Sequence, residues 1–228
     1  MTLRTNSRVA GIAFLLYIAA ALTGIILASR AARGAGLAER LASIAQHAGA
    51  VRLGFVLELI GCFCALVLAV TLYAITRGVD ADVARLGMVC RVGEGVIGAV
   101  GLQKQVGRLW LATASGAAAP EPGTVNALAE YLLKLPWSSD IGATFFAVGS
   151  TCFAWLLLRG RIVPVWLAGL GVFASLLAVA VLPLVAVGGI TGIPAQIVWL
   201  PMLVFEVGLA LVLIFRGAAP PAGAYRSQ

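Results

Sequence analysis

Four ionisable side chains, Glu58, Arg91, Glu94 and Glu206, stand inside long apolar stretches of the chain. An ionisable group within a bilayer costs at least about 2.5–3.5 kcal/mol near its centre, so such groups turn inward, find a partner or line a wet cavity. Arg91 and Glu94 are three residues apart, which on a helix puts them on one face and lets them pair. Around them stand Gly87, Gly95, Gly98 and Gly101, small enough for a neighbouring helix to approach closely. If Glu58 and Glu206 join that pair, three carboxylates share one guanidinium. At least one Glu is then expected to be neutral, because burial and like charge both disfavour the ionised form. A neutral acid in an apolar pocket is what general-acid chemistry or proton coupling requires. The plainer alternative is that the same charges only fix how the helices pack.

The elements that must position these residues follow from composition. Of 228 residues, 61% are hydrophobic and 11% charged, and the mean hydropathy is +1.04. A soluble domain carries about twice that share of charge. Apolar runs of about 20 residues match the roughly 30 Å hydrocarbon core of a bilayer. The fold class expected is all-α, a polytopic membrane helix bundle forming one domain over residues 1–228. About six spans are read at 9–28, 53–75, 86–102, 141–158, 165–187 and 195–215. The first is expected to be a retained helix and not a cleaved signal peptide, being long for a signal sequence and followed by further spans. Pro183 is expected to kink the fifth.

Two longer connections lie on one side. Leu37, Leu41, Ile44 and Ala45 recur at helical spacing, as do Val125, Leu128, Leu132 and Leu133. Each pattern predicts a short amphipathic helix at the interface, with the Ala/Gly/Pro-rich stretch 112–123 as a pliable connector. An even number of spans puts both termini on one side. The Arg159–Gly160–Arg161 turn, against an uncharged connection over 188–193, favours cytoplasmic termini in a bacterial inner membrane.

Other chemistries find little support. The net charge of +7 is spread singly through the loops, so membrane headgroups and not nucleic acid are the expected partner. Cys62, Cys64, Cys90 and Cys152 lack the spacing of a zinc site, and no metal or cofactor is expected. His47, the only histidine, reads as a solvated loop residue. Trp110, Trp137, Trp166 and Trp199 fit an interfacial aromatic belt. No Walker loop, HExxH, GxSxG or CxxC pattern occurs.

The opening Arg8-Val-Ala-Gly-Ile-Ala-Phe-Leu-Leu-Tyr17, the Val51-Arg-Leu-Gly54 start of the second span and Cys90-Arg-Val-Gly-Glu94 resemble a bacterial multi-pass membrane family. So does the stretch Leu200-Pro-Met-Leu-Val-Phe-Glu206, running on to Phe215-Arg-Gly217. That family is the domain of unknown function 4386 family. The long polar connection over 103–140 departs from its pattern. The resemblance implies recurring polar positions at Arg91, Glu94 and Glu206, and no known reaction. Three functions remain in view: binding or moving a small amphiphilic molecule, intramembrane general-acid chemistry on an isoprenoid-like substrate, and a structural or regulatory role.

Overall fold

The computed structural model describes residues 1–115, 120–134, 141–190 and 196–220. Trp137 and part of the 188–193 connection, both used in the sequence reading, lie outside the described residues. The helices in chain order are α1 (Leu3–Ala31), α2 (Leu37–Gln46), α3 (Ala48–Thr76), α4 (Ala81–Gly101) and α5 (Gln103–Thr113). They continue with α6 (Pro122–Lys134), α7 (Ile141–Arg159), α8 (Val165–Ala186) and α9 (Trp199–Phe215). Among the described residues there is no strand.

Local chemistry sets the boundaries. Thr2 caps α1 by accepting a hydrogen bond from the Thr5 N–H, and the Asp80 carboxylate accepts from the Asp82 and Val83 N–H groups. The Asp80 cap starts α4 at Ala81, five residues before its expected start at Leu86. Pro201 falls in the first turn of α9, where a missing N–H costs nothing. Pro183 lies in the last turn of α8, which ends three residues later. The helix expected near residue 37 is α2, and the one expected near 125 is α6. A third short helix, α5, replaces the connection expected from Gln103 onward.

Six helices close a ring. α1 packs on α3, α3 on α4, α4 on α7, α7 on α8, α8 on α9, and α9 back on α1. Glycines allow the closest approaches: a Cβ on Gly95 would stand 2.9 Å from the Cys62 carbonyl oxygen of α3. On Gly149 it would meet the Arg91 side chain at 3.2 Å. The core inside includes Phe14, Leu72, Phe153, Phe205 and Leu209, while Ile12, Phe63, Val89, Phe173 and Val204 face outward. α2, α5 and α6 pack on one another across one end of the ring, forming a cap. At the other end the Ala218 N–H donates to Ser7 Oγ (3.0 Å), so residues near both termini meet there.

Among the described residues, four helices, α1, α3, α7 and α8, are long and apolar enough to cross a membrane. α9 is a shorter apolar helix of 17 residues, and α4 does not qualify by composition. An apolar exterior around an all-α bundle is the signature of a membrane protein.

Candidate functional site

Arg91 and Glu94 project from α4 into the ring, and Glu206 from α9 joins them. They are 1%, 7% and 5% exposed. Glu94 and Glu206 each lie seven residues, about 10 Å, from the cap-end terminus of their helix (Gly101 and Trp199), so the two carboxylates stand at similar depth. Arg91 Nη1 pairs with Glu94 Oε2 at 3.0 Å. The opposite oxygen, Oε1, accepts a 2.8 Å hydrogen bond from the Tyr17 hydroxyl of α1. Glu206 sits within the field of both Arg91 and Glu94.

Aromatic faces complete the setting of the guanidinium. Arg91 Cζ lies 5.0 Å from the Phe146 ring centroid, 5.6 Å from Tyr17 and 6.0 Å from Phe14. Its Nε and Nη2 find no hydrogen-bond acceptor among the described residues. The electron-rich ring faces supply part of what carboxylates would otherwise provide, each worth about 0.5–2 kcal/mol. Trp199 backs Phe146, ring centroids 5.8 Å apart, so this tryptophan does more than mark an interface. The space among these groups is small. A gap of about 10 Å³ lies between Arg91, Ser150, Phe153 and Glu206, the volume of about one water molecule.

Glu58 does not join them. It lies on α3, half-buried, with its carboxylate beside Gly24 of α1. Its charge acts instead on Arg108 of α5. Burial lowers the pKa of that guanidinium from its ordinary value, and the Glu58 carboxylate opposes the shift. Arg108 Nε also donates to the Leu132 carbonyl of α6 (2.8 Å), and Nη2 donates to the same oxygen. A cation on a late α6 carbonyl is favourable electrostatically and ties two cap helices together. Of the four residues singled out by sequence, the structure therefore brings together three and assigns the fourth to the cap.

The aromatic members escaped the sequence reading, although a signal existed. Phe14 and Tyr17 are three apart and so share a face of α1, and a tyrosine in an apolar run needs a partner for its hydroxyl. Tyr17→Phe keeps the ring and removes the bond to Glu94. The expected loss is about 1.5–3 kcal/mol of stability, read as a lower denaturant midpoint in detergent micelles. An unchanged midpoint would mean that the hydroxyl contributes nothing to holding α1 against α4.

A larger space lies elsewhere, under α2. A half-open cavity of about 500 Å³ separates the end of α1, the α2 helix and the start of α3. Leu27, Ala31 and Ala50 form its apolar wall. His47, expected to be a solvated loop residue, is exposed and borders this cavity, where its Nδ1 is 2.8 Å from the Ser43 carbonyl oxygen. Among the described residues no group of three His, Cys, Asp or Glu side chains is placed to hold a metal ion.

A family model described as Domain of unknown function (DUF4386) matches residues 9–217, nearly the whole chain. No curated protein matches, and no solved structure does.

Proposed function

The chain belongs to the domain of unknown function 4386 family, and we propose that it is a six-span membrane protein that binds a small amphiphilic molecule at its capped end. The six-span reading rests on α4 and α9 completing the ring. α4 turns Leu86, Val89, Val96 and Val100 outward and Arg91 and Glu94 inward, so its charges are hidden from lipid although its composition is not apolar throughout. α9 is about 25 Å long, close to the hydrocarbon thickness. The proposed orientation has both termini in the cytoplasm of a bacterial cell, a reading supported by the arginines in the α7–α8 turn.

One observation carries the binding site. Room for a molecule exists under α2, about 500 Å³, and not at the centre, about 10 Å³. Pockets for small ligands generally run to about 300–1,000 Å³. An isoprenoid-like substrate reaching Glu206 would have to part packed helices, which disfavours intramembrane acid chemistry there. The central charges act as a clamp across α1, α4 and α9, and the ligand meets the protein near the membrane surface.

Ala50→Trp tests the site by filling it. Purified protein carrying an amphiphile is expected to show the added mass by native mass spectrometry. Ala50→Trp is expected to lose that mass while keeping its helical circular dichroism, and Glu206→Gln to keep it. The reverse pattern would place the ligand at the centre and overturn the proposal.

A further inference from the structure

We infer that the cavity under α2 selects an amphiphile with an anionic, phosphate-bearing head, an assignment that rests on the binding role proposed above. The cavity is walled on one side by Leu27, Ala31 and Ala50, and on the other by Arg30, Arg33 and His47. No carboxylate borders it. Two guanidiniums beside an uncharged wall match a head with several acceptor oxygens joined to an apolar tail, since guanidinium forks bind phosphate oxygens in pairs. With its Nδ1 donating to the Ser43 carbonyl, His47 presents Nε2 as an acceptor, which suits a hydroxyl of the head group while the two arginines take the phosphate oxygens.

The backbone holds these groups in place. Gly34 adopts φ +147°, a conformation that side chains rarely take, and turns the chain sharply after Arg33. The Glu39 carboxylate then accepts from the Ala35 N–H (2.8 Å), and Arg40 Nε donates to the Gly34 carbonyl (3.1 Å). Glu39 is thus spent on the turn, and Arg40 with it. Ile25 and Ile26 just before Arg30 are exposed apolar residues. Arg30 and Arg33 therefore follow directly on a lipid-facing stretch, at the depth where a bilayer places its phosphates.

The same phosphate chemistry can come from a lipid or from a free anion, and the test separates them. The full chain is purified in detergent and offered phosphatidylglycerol, diacylglycerol or inorganic phosphate, with bound mass read by native mass spectrometry and thermal shift. Wild type is expected to retain one phosphatidylglycerol per chain in preference to diacylglycerol. Arg30→Gln with Arg33→Gln is expected to weaken that binding roughly tenfold or more. Arg33→Gln alone should show part of the loss, which guards against a misfolded double variant. Arg52→Gln with Lys104→Gln, which removes two cations of the same end that do not line the cavity, should change nothing. A thermal shift with inorganic phosphate, lost in the double variant, would support the phosphate site and name a free anion as its source. Equal loss in both double variants would mean diffuse surface charge and overturn the inference. Diacylglycerol held as tightly as phosphatidylglycerol would overturn the phosphate assignment while leaving amphiphile binding intact. No bound amphiphile or anion of any kind would sink both.

Discussion

Arg91→Met is expected to destabilise the protein by about 3–5 kcal/mol, the largest loss for any single substitution considered. Arg91 is 1% exposed and is paired at 3.0 Å with Glu94, within the field of Glu206. Methionine has a similar reach, so the loss arises less from an empty space than from carboxylates stranded without a countercharge. The guanidinium also leaves three aromatic faces with nothing to attract. Denaturant unfolding in micelles reads the effect. A companion triple variant, Arg91→Met with Glu94→Met and Glu206→Met, is expected to recover much of the loss, because removing a whole buried charge cluster is often nearly neutral. A single variant as stable as wild type would show that Arg91 does not balance the cluster.

The second large effect is steric. A Cβ on Gly11 would lie 2.6 Å from Ile214 Cγ1 and 2.7 Å from the Ala210 carbonyl oxygen of α9. The side chain can turn aside, but the carbonyl belongs to a helix backbone and cannot. Gly11→Ala is therefore expected to force α1 and α9 apart and to cost about 1–3 kcal/mol, despite alanine's better helix propensity. Gly169→Ala on α8 is the matched control, since a Cβ there meets nothing within 4 Å. That variant should be neutral or up to about 1 kcal/mol more stable. Equal midpoints for the two variants would mean that the α1–α9 seam is looser than the structure has it. Because the seam carries Phe14 and Tyr17 on one helix and Glu206 on the other, its opening would also loosen the cage around Arg91.

The parts of this architecture that depend on local pattern were legible in the chain. Apolar runs located the long helices, and the three-residue spacing of Arg91 and Glu94 foretold their ion pair. The amphipathic spacing of Leu37, Leu41 and Ile44 located α2. What depends on which helices become neighbours was not legible. Glu206 reaches the pair only because α9 closes the ring onto α1, and Glu58 misses it because its face of α3 turns toward Gly24 and the cap. Helix α5 hid behind its polar start, Gln103-Lys104-Gln105, although half-buried Gly107 and Arg108 and buried Leu111 lie on one face at helical spacing. The cavity was hidden for a similar reason. Arg30 and Arg33 read as ordinary membrane-flanking cations until α2 folds back over them.

Photolabelling tests the placement of the ligand most directly. A lipid analogue with a diazirine in its acyl chain, irradiated on the full-length protein and mapped by peptide mass spectrometry, is expected to mark peptides of residues 27–50. Competition by phosphatidylglycerol should suppress that mark. Labelling concentrated on α4 and α9 around Arg91 and Glu206, competed in the same way and with residues 27–50 left unmarked, would contradict the account.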